Sequence, residues 1–422
     1  MKNKLLGFIP KDFSTVWVFS MAAKVLQLVV TVLLVRILTV EDYADYTVFF
    51  TTSSTILGIA GQSIALAYVR YNTERLSEDE GYRDSLIVFS HALNLVCALL
   101  LLAATYPLAR VMGVETMLML ATIVYGFFLG AVQLNIAFFQ SREHYAKSGV
   151  IENSKQIVLL AALALAIVLG AGSLGSVIVA YCASGLACLV YSLALVVCAK
   201  GRGPVAWGID RASVKEFLTV SIWLILYSVT TQLYNQANIT MLSMFGTSYD
   251  VAVFGVALKY FNMILLLQPS IKTVLRVRMS KAEMTHSTTK QRDFAIKWFR
   301  RTGLLFAVAI AAVGIAAGFV FPLLNGEQYN DAIPTFQILC VSAFFAYLLA
   351  PSSALIMSLN RYRLQFGISV LALAINLVGN YLLIPPLGSA GTAIATTVSQ
   401  LMLNILMTVV VFRAGALNGK KG

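Results

Sequence analysis

Long apolar segments constrain the fold of this 422-residue chain more than any motif does. Hydrophobic residues make up 59% of the chain and charged residues 12%, and the mean hydropathy is +0.81. This composition excludes an ordinary water-soluble domain. Each apolar segment has about 20 residues or more, enough to cross ~30 Å of hydrocarbon as a helix. The sequence therefore predicts an all-α polytopic membrane protein.

Charged loops and turns rich in proline or glycine divide the apolar segments into twelve predicted transmembrane helices. Their predicted bounds are residues 13–38, 46–69, 86–106, 116–139, 156–174, 176–199, 217–244, 250–271, 302–321, 332–359, 364–383 and 389–412.

Short repeats relate the two halves of the chain. Gly172, Ser173, Gly175 and Ile178 match Gly388, Ser389, Gly391 and Ile394, each 216 positions later. Six helices return a chain to its starting side, so the two halves have the same orientation about an axis along the membrane normal. The sequence thus predicts a parallel repeat of two six-helix bundles, residues 1–200 and 201–422, around a central cavity.

The net charge of +12 reflects the orientation of the chain in the membrane and does not indicate a nucleic-acid partner. The termini and every second predicted loop hold 27 of the 31 lysines and arginines. The opposite side holds two, Arg36 and Arg110, and the helix cores hold Lys24 and Lys259. Since cytoplasmic loops are enriched in basic residues, this distribution places both termini in the cytoplasm.

No cofactor or metal site is predicted. We interpret the five cysteines as small apolar packing residues, because all of them fall within predicted helices. They are Cys97, Cys182, Cys188, Cys198 and Cys340. No P-loop pattern is present, so ATP hydrolysis by this chain is not expected.

Lys24 lies near the middle of the first predicted helix, about 16 Å from Phe13 and about 21 Å from Leu38 at ~1.5 Å per residue. Gln27 and Thr31 share its helical face. A charge at a helix centre costs about 2.5 to 3.5 kcal/mol on insertion scales, which favours a functional role. A buried lysine that only fixes helix packing is the structural alternative.

Further polar residues concentrate in the first two predicted helices of each half. The predicted substrate-binding residues are Lys24, Gln27, Gln62, Thr231, Asn238, Lys259 and Asn262. Hydrogen bonds between helices are the alternative for some of them. All 19 acidic residues fall in predicted loops or at helix ends. An exogenous anion is therefore the expected partner of the two lysines. The same distribution counts against a cation antiporter, which is expected to have a carboxylate within the membrane.

Two motifs carry a family resemblance. Residues Arg36 to Leu38 and Glu41 to Tyr46 resemble the signature that closes the first helix of polysaccharide-type flippases, with Ala44 where glycine is usual. Pro386 to Ala393 resembles the entry to the last helix of the same family. The family belongs to the multidrug, oligosaccharidyl-lipid and polysaccharide exporter superfamily, whose members have two six-helix bundles around a cavity.

The resemblance implies translocation of an undecaprenyl-diphosphate-linked oligosaccharide, such as an O-antigen unit, across the bacterial inner membrane. The implied partners are this anionic lipid-linked glycan, membrane lipids and polysaccharide assembly proteins. A multidrug or cation antiporter of the same superfamily is the first alternative. A membrane glycosyltransferase or polymerase is the second, since Glu41, Asp42 and Asp45 cluster in the first predicted outer loop. The other outer loops are short, so a non-enzymatic function is predicted.

Overall fold

A computed structural model describes residues 11–74, 80–142, 144–168, 173–199, 211–265, 268, 271, 275, 288–352 and 362–418. Within these ranges the chain forms helices joined by short turns, and the described residues include no β-strand. Helices satisfy their own backbone hydrogen bonds, as a chain surrounded by hydrocarbon requires. The predicted all-α fold class is confirmed.

The described helices are numbered here in chain order. They are α1 (Lys11–Ile37), α2 (Val40–Ile56, continued by a π-helical turn, Leu57–Gln62, and by Ser63–Glu74), α3 (Glu80–Ala103), α4 (Thr105–Met112), α5 (Thr116–Gln140), α6 (Tyr145–Val168), α7 (Leu174–Ala199), α8 (Arg211–Phe245), α9 (Ser248–Ile264), α10 (Thr288–Asn325), α11 (Ala332–Leu348) and α12 (Tyr362–Asn418).

Each of the twelve predicted transmembrane segments overlaps one of these helices. The last two predicted segments are the two arms of α12, which bends at Gly388. The fifth predicted helix begins at Tyr145 and not at residue 156. By length and composition alone, seven helical stretches among the described residues are long and apolar enough to cross a membrane.

The backbone divides into two compact units, Met1–Gln232 and Leu233–Gly422, so their boundary falls within α8. The predicted bundle boundary, between residues 200 and 201, lies outside the described residues. The division of the chain at that point remains a prediction.

In the first unit, a π-helical turn interrupts α2 at Leu57–Gln62. Ser63, just after the turn, donates its hydroxyl to the carbonyl oxygen of Gly58 over 2.7 Å. Gly58 and Gly61 permit close packing here. A Cβ atom at Gly58 would lie 2.6 Å from the Cγ atom of Gln232, and one at Gly61 would lie 2.6 Å from the Cα atom of Gly130. Such turns are frequent at functional sites, and this one brings α2 against α8.

In the second unit, Asp250 holds the bend of α12. One carboxylate oxygen accepts a hydrogen bond from the backbone N–H of Ser389 over 3.0 Å. The other accepts the N–H and hydroxyl of Thr247 over 3.2 and 2.6 Å. Gly388, at the bend, has φ of 53°, a conformation that favours glycine. This contact gives the Pro386 to Ala393 motif a structural role.

A similar cap occurs in the first unit. The hydroxyl of Thr39 accepts a hydrogen bond from the backbone N–H of Asp42 over 3.1 Å at the start of α2. Thr247 accepts from the N–H of Asp250 over 3.1 Å at the start of α9. Both helices therefore begin with a threonine N-cap, which at α9 is completed as a capping box by the side chain of Asp250.

Candidate functional site

The first helix carries three of the polar positions singled out above. Lys24 lies within α1, and its side chain is outside the described part of the structure. Thr31 is 2% exposed, and its hydroxyl donates to the carbonyl oxygen of Gln27 over 3.0 Å. Gln27 is half-buried. The Thr31 hydroxyl is thus satisfied within its own helix.

A polar contact joins α2 to α8 beside the π-helical turn. The side-chain amide of Gln232 donates to the amide oxygen of Gln62 over 3.1 Å, at an exposed position. Ser63 donates to the hydroxyl of Ser228 over 3.1 Å in the buried layer beneath. Thr231 donates its hydroxyl to the carbonyl oxygen of Tyr227 over 2.9 Å. Gln62 is therefore accessible, and its partner Gln232 is a residue that the sequence analysis missed.

Asn238 lies in a buried hydrogen-bond network of the second unit and is 3% exposed. Its amide oxygen accepts hydrogen bonds from Asn376 and Asn380, both over 3.0 Å. Asn376 also donates to the hydroxyl of Ser399 over 3.3 Å, and Tyr234 shares a 2.9 Å hydrogen bond with that hydroxyl. This placement favours a packing role for Asn238 over direct contact with a substrate.

Lys259 and Asn262 lie on the same side of α9, three residues apart. Lys259 is half-buried, and Asn262 is exposed. Lys259 is nine residues from Asp250, or about 14 Å along the helix axis. An accessible amide thus follows a deep lysine on one face of this helix.

The structure corrects one expectation about the acidic residues. Glu152 lies seven residues inside α6, and not in a loop. The sequence predicts a loop for this segment because it is rich in polar residues, but hydrogen bonds within α6 and to α1 satisfy Asn153 and Ser148. Asn153 donates to the carbonyl oxygens of Phe19 and Gly149, both over 2.9 Å, and Ser148 donates to that of Tyr145 over 2.8 Å.

Two of the acidic residues in the alternative catalytic cluster have a structural role at the start of a helix. Glu41 and Asp42 lie in the first turn of α2, where carboxylates interact favourably with the helix dipole. Among the described residues, no group of three or more His, Cys, Asp or Glu side chains could hold a metal ion.

Comparison with solved structures defines the class of protein. Over 96% of this chain and 95% of the other, the fold matches an inward-facing multidrug resistance transporter of the MATE family in the MOP superfamily, with a TM-score of 0.72 at 14% identity. The lipid II flippase MurJ, in an inward closed conformation, also gives 0.72 at 12% identity, over 93% of this chain and 87% of that protein. A MOP superfamily transporter from Pyrococcus furiosus, whose binding pocket is described as reversed in polarity, gives 0.67 at 12% identity over 97% and 96%. The chain is a polytopic membrane protein with the fold of this superfamily.

The sequence then identifies the family. Residues 10–282 match the model of the family described as "Polysaccharide biosynthesis protein". This match covers more than half of the chain, so the protein belongs to that family, as the resemblance of its motifs predicted. Comparison with curated protein sequences gives no significant match.

Replacing Asn238 and Asn262, one at a time, is expected to show that Asn238 stabilises the fold and that Asn262 does not. Asn238→Ala removes the acceptor that the buried amides of Asn376 and Asn380 share and leaves them only their bonds to Ser399 and to Asn376. A buried donor that loses its partner costs about 1 to 3 kcal/mol. Asn262→Ala, at an exposed position, is the matched control. Thermal unfolding in detergent should show a lower melting temperature for Asn238→Ala alone. Equal melting temperatures for both variants and the wild type would contradict the packing role.

Proposed function

We propose that this protein moves an undecaprenyl-diphosphate-linked oligosaccharide from the inner to the outer leaflet of the bacterial inner membrane by alternating access. The observation that carries the proposal is the family match of residues 10–282 in a chain with this transporter fold. The similarity in fold to a protein described as a lipid II flippase supports a lipid-linked substrate.

The lysines supply the chemistry for an anionic substrate. Ammonium groups in a low-dielectric cavity attract a diphosphate or an acidic sugar more strongly than they do in water. Lys259 is half-buried within α9, and Lys24 lies 13 residues from both ends of α1. We assign both lysines to the anionic part of the substrate. Placing a charged lysine within the membrane costs free energy, and a bound anion would offset part of this cost.

Neutral polar side chains complete the proposed site. Gln62 and Asn262 are exposed, and Gln27 and Thr231 are half-buried, so all four present amides or hydroxyls at partly accessible positions. Side chains of this kind form hydrogen bonds with sugar hydroxyls. Asn238 supports the neighbouring helices in this proposal and does not contact the glycan.

We place the chain in the bacterial inner membrane with both termini in the cytoplasm. The distribution of positive charge supports this orientation. Lipids surround the helices. Polysaccharide assembly proteins are the further partners that the proposal implies.

A cation antiporter is the second candidate function. The position of Glu152 inside α6 favours it, because a carboxylate is the group expected to bind a cation within a membrane. The similarity in fold to a MATE transporter points the same way. For the enzyme alternative, Glu41 and Asp42 have a structural explanation apart from catalysis, because they lie in the first turn of a helix.

Lysine variants test the proposed substrate site. Purified protein in vesicles with lipid-linked oligosaccharide would be assayed for glycan that becomes accessible to an impermeant lectin. Lys24→Ala and Lys259→Ala should slow translocation about tenfold or more, the loss expected for about 1.4 kcal/mol of binding, while the arginine variants retain more activity. Lys297→Ala, at an exposed position of α10, is the matched control. Wild-type rates in both deep alanine variants, with normal amounts of folded protein, would refute the assignment.

Thiol labelling tests the topology. In a background without the five native cysteines, Asp293→Cys and Glu327→Cys would place single thiols at exposed positions near the two ends of α10. An impermeant reagent added to intact cells should label Glu327→Cys strongly and Asp293→Cys only after lysis. The reverse result would place the termini outside the cytoplasm.

A further inference from the structure

We propose that Gln62 and Gln232 together bind an acetamido group of the glycan, so that the transported oligosaccharide carries an N-acetylated amino sugar. This inference rests on the proposed transport function and specifies its substrate. The first observation is the hydrogen bond between the two side-chain amides, in which Gln232 Nε2 donates to Gln62 Oε1 over 3.1 Å. Within the described part of the chain, neither side chain has a further hydrogen-bond partner.

The Gln62 amide lies at a depth where contact with lipid is unfavourable. The helix α2 is long and apolar enough to cross a membrane over Val40–Val69. Gln62 is seven residues from Val69, or about 10 Å along the helix axis. Its side chain is exposed, and polar groups without partners are costly in hydrocarbon. The amide therefore faces water or substrate and not the lipid.

A glycine and the π-helical turn position the two amides. A Cβ atom at Gly58 would lie 2.6 Å from the Cγ atom of Gln232, so glycine leaves the room that this side chain occupies. Beneath the pair, the Ser63 hydroxyl lies 2.7 Å from the Gly58 carbonyl oxygen and 3.1 Å from the Ser228 hydroxyl. Both serines are buried. The amides of α2 and α8 thus rest on a buried base of hydrogen bonds.

The pair presents a free donor and a free acceptor on different atoms. Gln62 Nε2 keeps both of its N–H groups, and Gln232 Oε1 keeps its lone pairs, because the bond between the residues uses the other atom of each amide. These two free atoms flank the bonded nitrogen and oxygen. A ligand that bonds to both must therefore offer an acceptor and a donor on separate atoms.

An acetamido group meets this requirement. Its carbonyl oxygen accepts a hydrogen bond from Gln62 Nε2, its N–H donates to Gln232 Oε1, and the planar amide bond fixes the spacing between them. A hydroxyl group offers both functions on one oxygen atom. A carboxylate offers acceptors alone, and an ammonium group offers donors alone. The secondary amide is therefore the sugar substituent that best matches the pair.

An exposed leucine adds an apolar contact for the same substituent. Leu66 is four residues after Gln62, on the same face of the helix, and is 46% exposed. The acetamido group ends in a methyl group, which a hydroxyl or amino substituent lacks. Contact between this methyl group and Leu66 removes apolar surface from water and is favourable.

Lipid-linked probes that differ in one substituent test the proposal. Wild-type protein in vesicles would be given undecaprenyl-diphosphate-linked disaccharides that carry an acetamido, an O-acetyl or a hydroxyl group, placed in turn on each of the two sugars. At limiting concentrations, the acetamido probe should move ~10-fold faster than the hydroxyl probe, as expected for two hydrogen bonds of ordinary net strength. This comparison needs no variant. Equal rates for the two probes on both sugars would overturn the proposal.

Glutamine variants connect the preference to the two amides. Gln62→Met and Gln232→Met keep the length of the side chain, remove its amide, and should each bring the two rates closer together. Gln232→Met should slow the acetamido probe but not the O-acetyl probe, because an ester has no N–H to donate to Gln232. The matched control is Thr55→Val on α2, since the Thr55 hydroxyl already donates to the Thr51 carbonyl oxygen over 3.0 Å.

Two results with these variants would contradict the proposal. One is a wild-type ratio of rates in both glutamine variants. The other is an equal slowing of the acetamido and O-acetyl probes in Gln232→Met, which a purely structural contact between α2 and α8 would produce.

Gly58→Ala tests the positioning of the pair. The added Cβ atom would displace Gln232 without changing either amide, so the preference for the acetamido probe should fall below that of the wild type. A packing defect alone would slow every probe by the same factor. An unchanged ratio in a folded Gly58→Ala variant would therefore refute the positioning role of Gly58.

The outcomes distinguish this inference from the proposed function. Wild-type protein that moves all probes at equal rates would overturn recognition of the acetamido group and leave glycan translocation intact. Wild-type protein that moves none of the probes would instead overturn the proposed function itself.

Discussion

The structure depends on one constraint, the cost of an unsatisfied polar group in hydrocarbon. Helices meet it for the backbone, and many hydroxyl side chains meet it by donating to a carbonyl one turn earlier. Thr31, Thr55 and Thr231 all do so, over 2.9 to 3.0 Å. These residues need no partner from a neighbouring helix, so a polar residue in the sequence of a transmembrane helix is a weak indication of a binding site.

Side-chain amides and carboxylates have more than one polar atom, so a single bond to a carbonyl one turn earlier, such as that from Asn153 to Gly149, does not satisfy them fully. Those singled out above divide into two groups. Asn238 is buried and has two amide partners from α12. Gln62 and Asn262 are exposed, and Glu152 is half-buried without a described partner. The first group stabilises the fold. The second contains the candidates for contact with a substrate or an ion, because its polar atoms remain accessible.

The sequence predicted the helices well because a long apolar segment has few alternatives in a membrane. It located the bend of α12, where the Pro386 to Ala393 motif meets Asp250. Its errors occurred where helices carry polar residues. The start of α6 was placed eleven residues late, because the segment that holds Glu152 and Asn153 looks like a loop until its contacts with α1 are known.

The candidate site was less predictable than the fold because it depends on pairs of residues far apart in the chain. Asn238 meets Asn376 and Asn380 across 138 and 142 positions, and Gln62 meets Gln232 across 170. Helical periodicity shows which residues share a face but not what lies opposite that face. Gln232 illustrates this limit, since it follows Thr231 in the sequence but only its contact with Gln62 reveals its place beside the π-helical turn.

The central claim is that the chain moves a lipid-linked glycan without altering it. The most direct test places wild-type protein in vesicles containing undecaprenyl-diphosphate-linked oligosaccharide and adds an impermeant glycan-cleaving enzyme outside. The account predicts that glycan of the inner leaflet becomes cleavable only in vesicles that contain the protein, and that its length is unchanged before cleavage. Continued protection of the inner-leaflet glycan, or a longer glycan, would contradict the account.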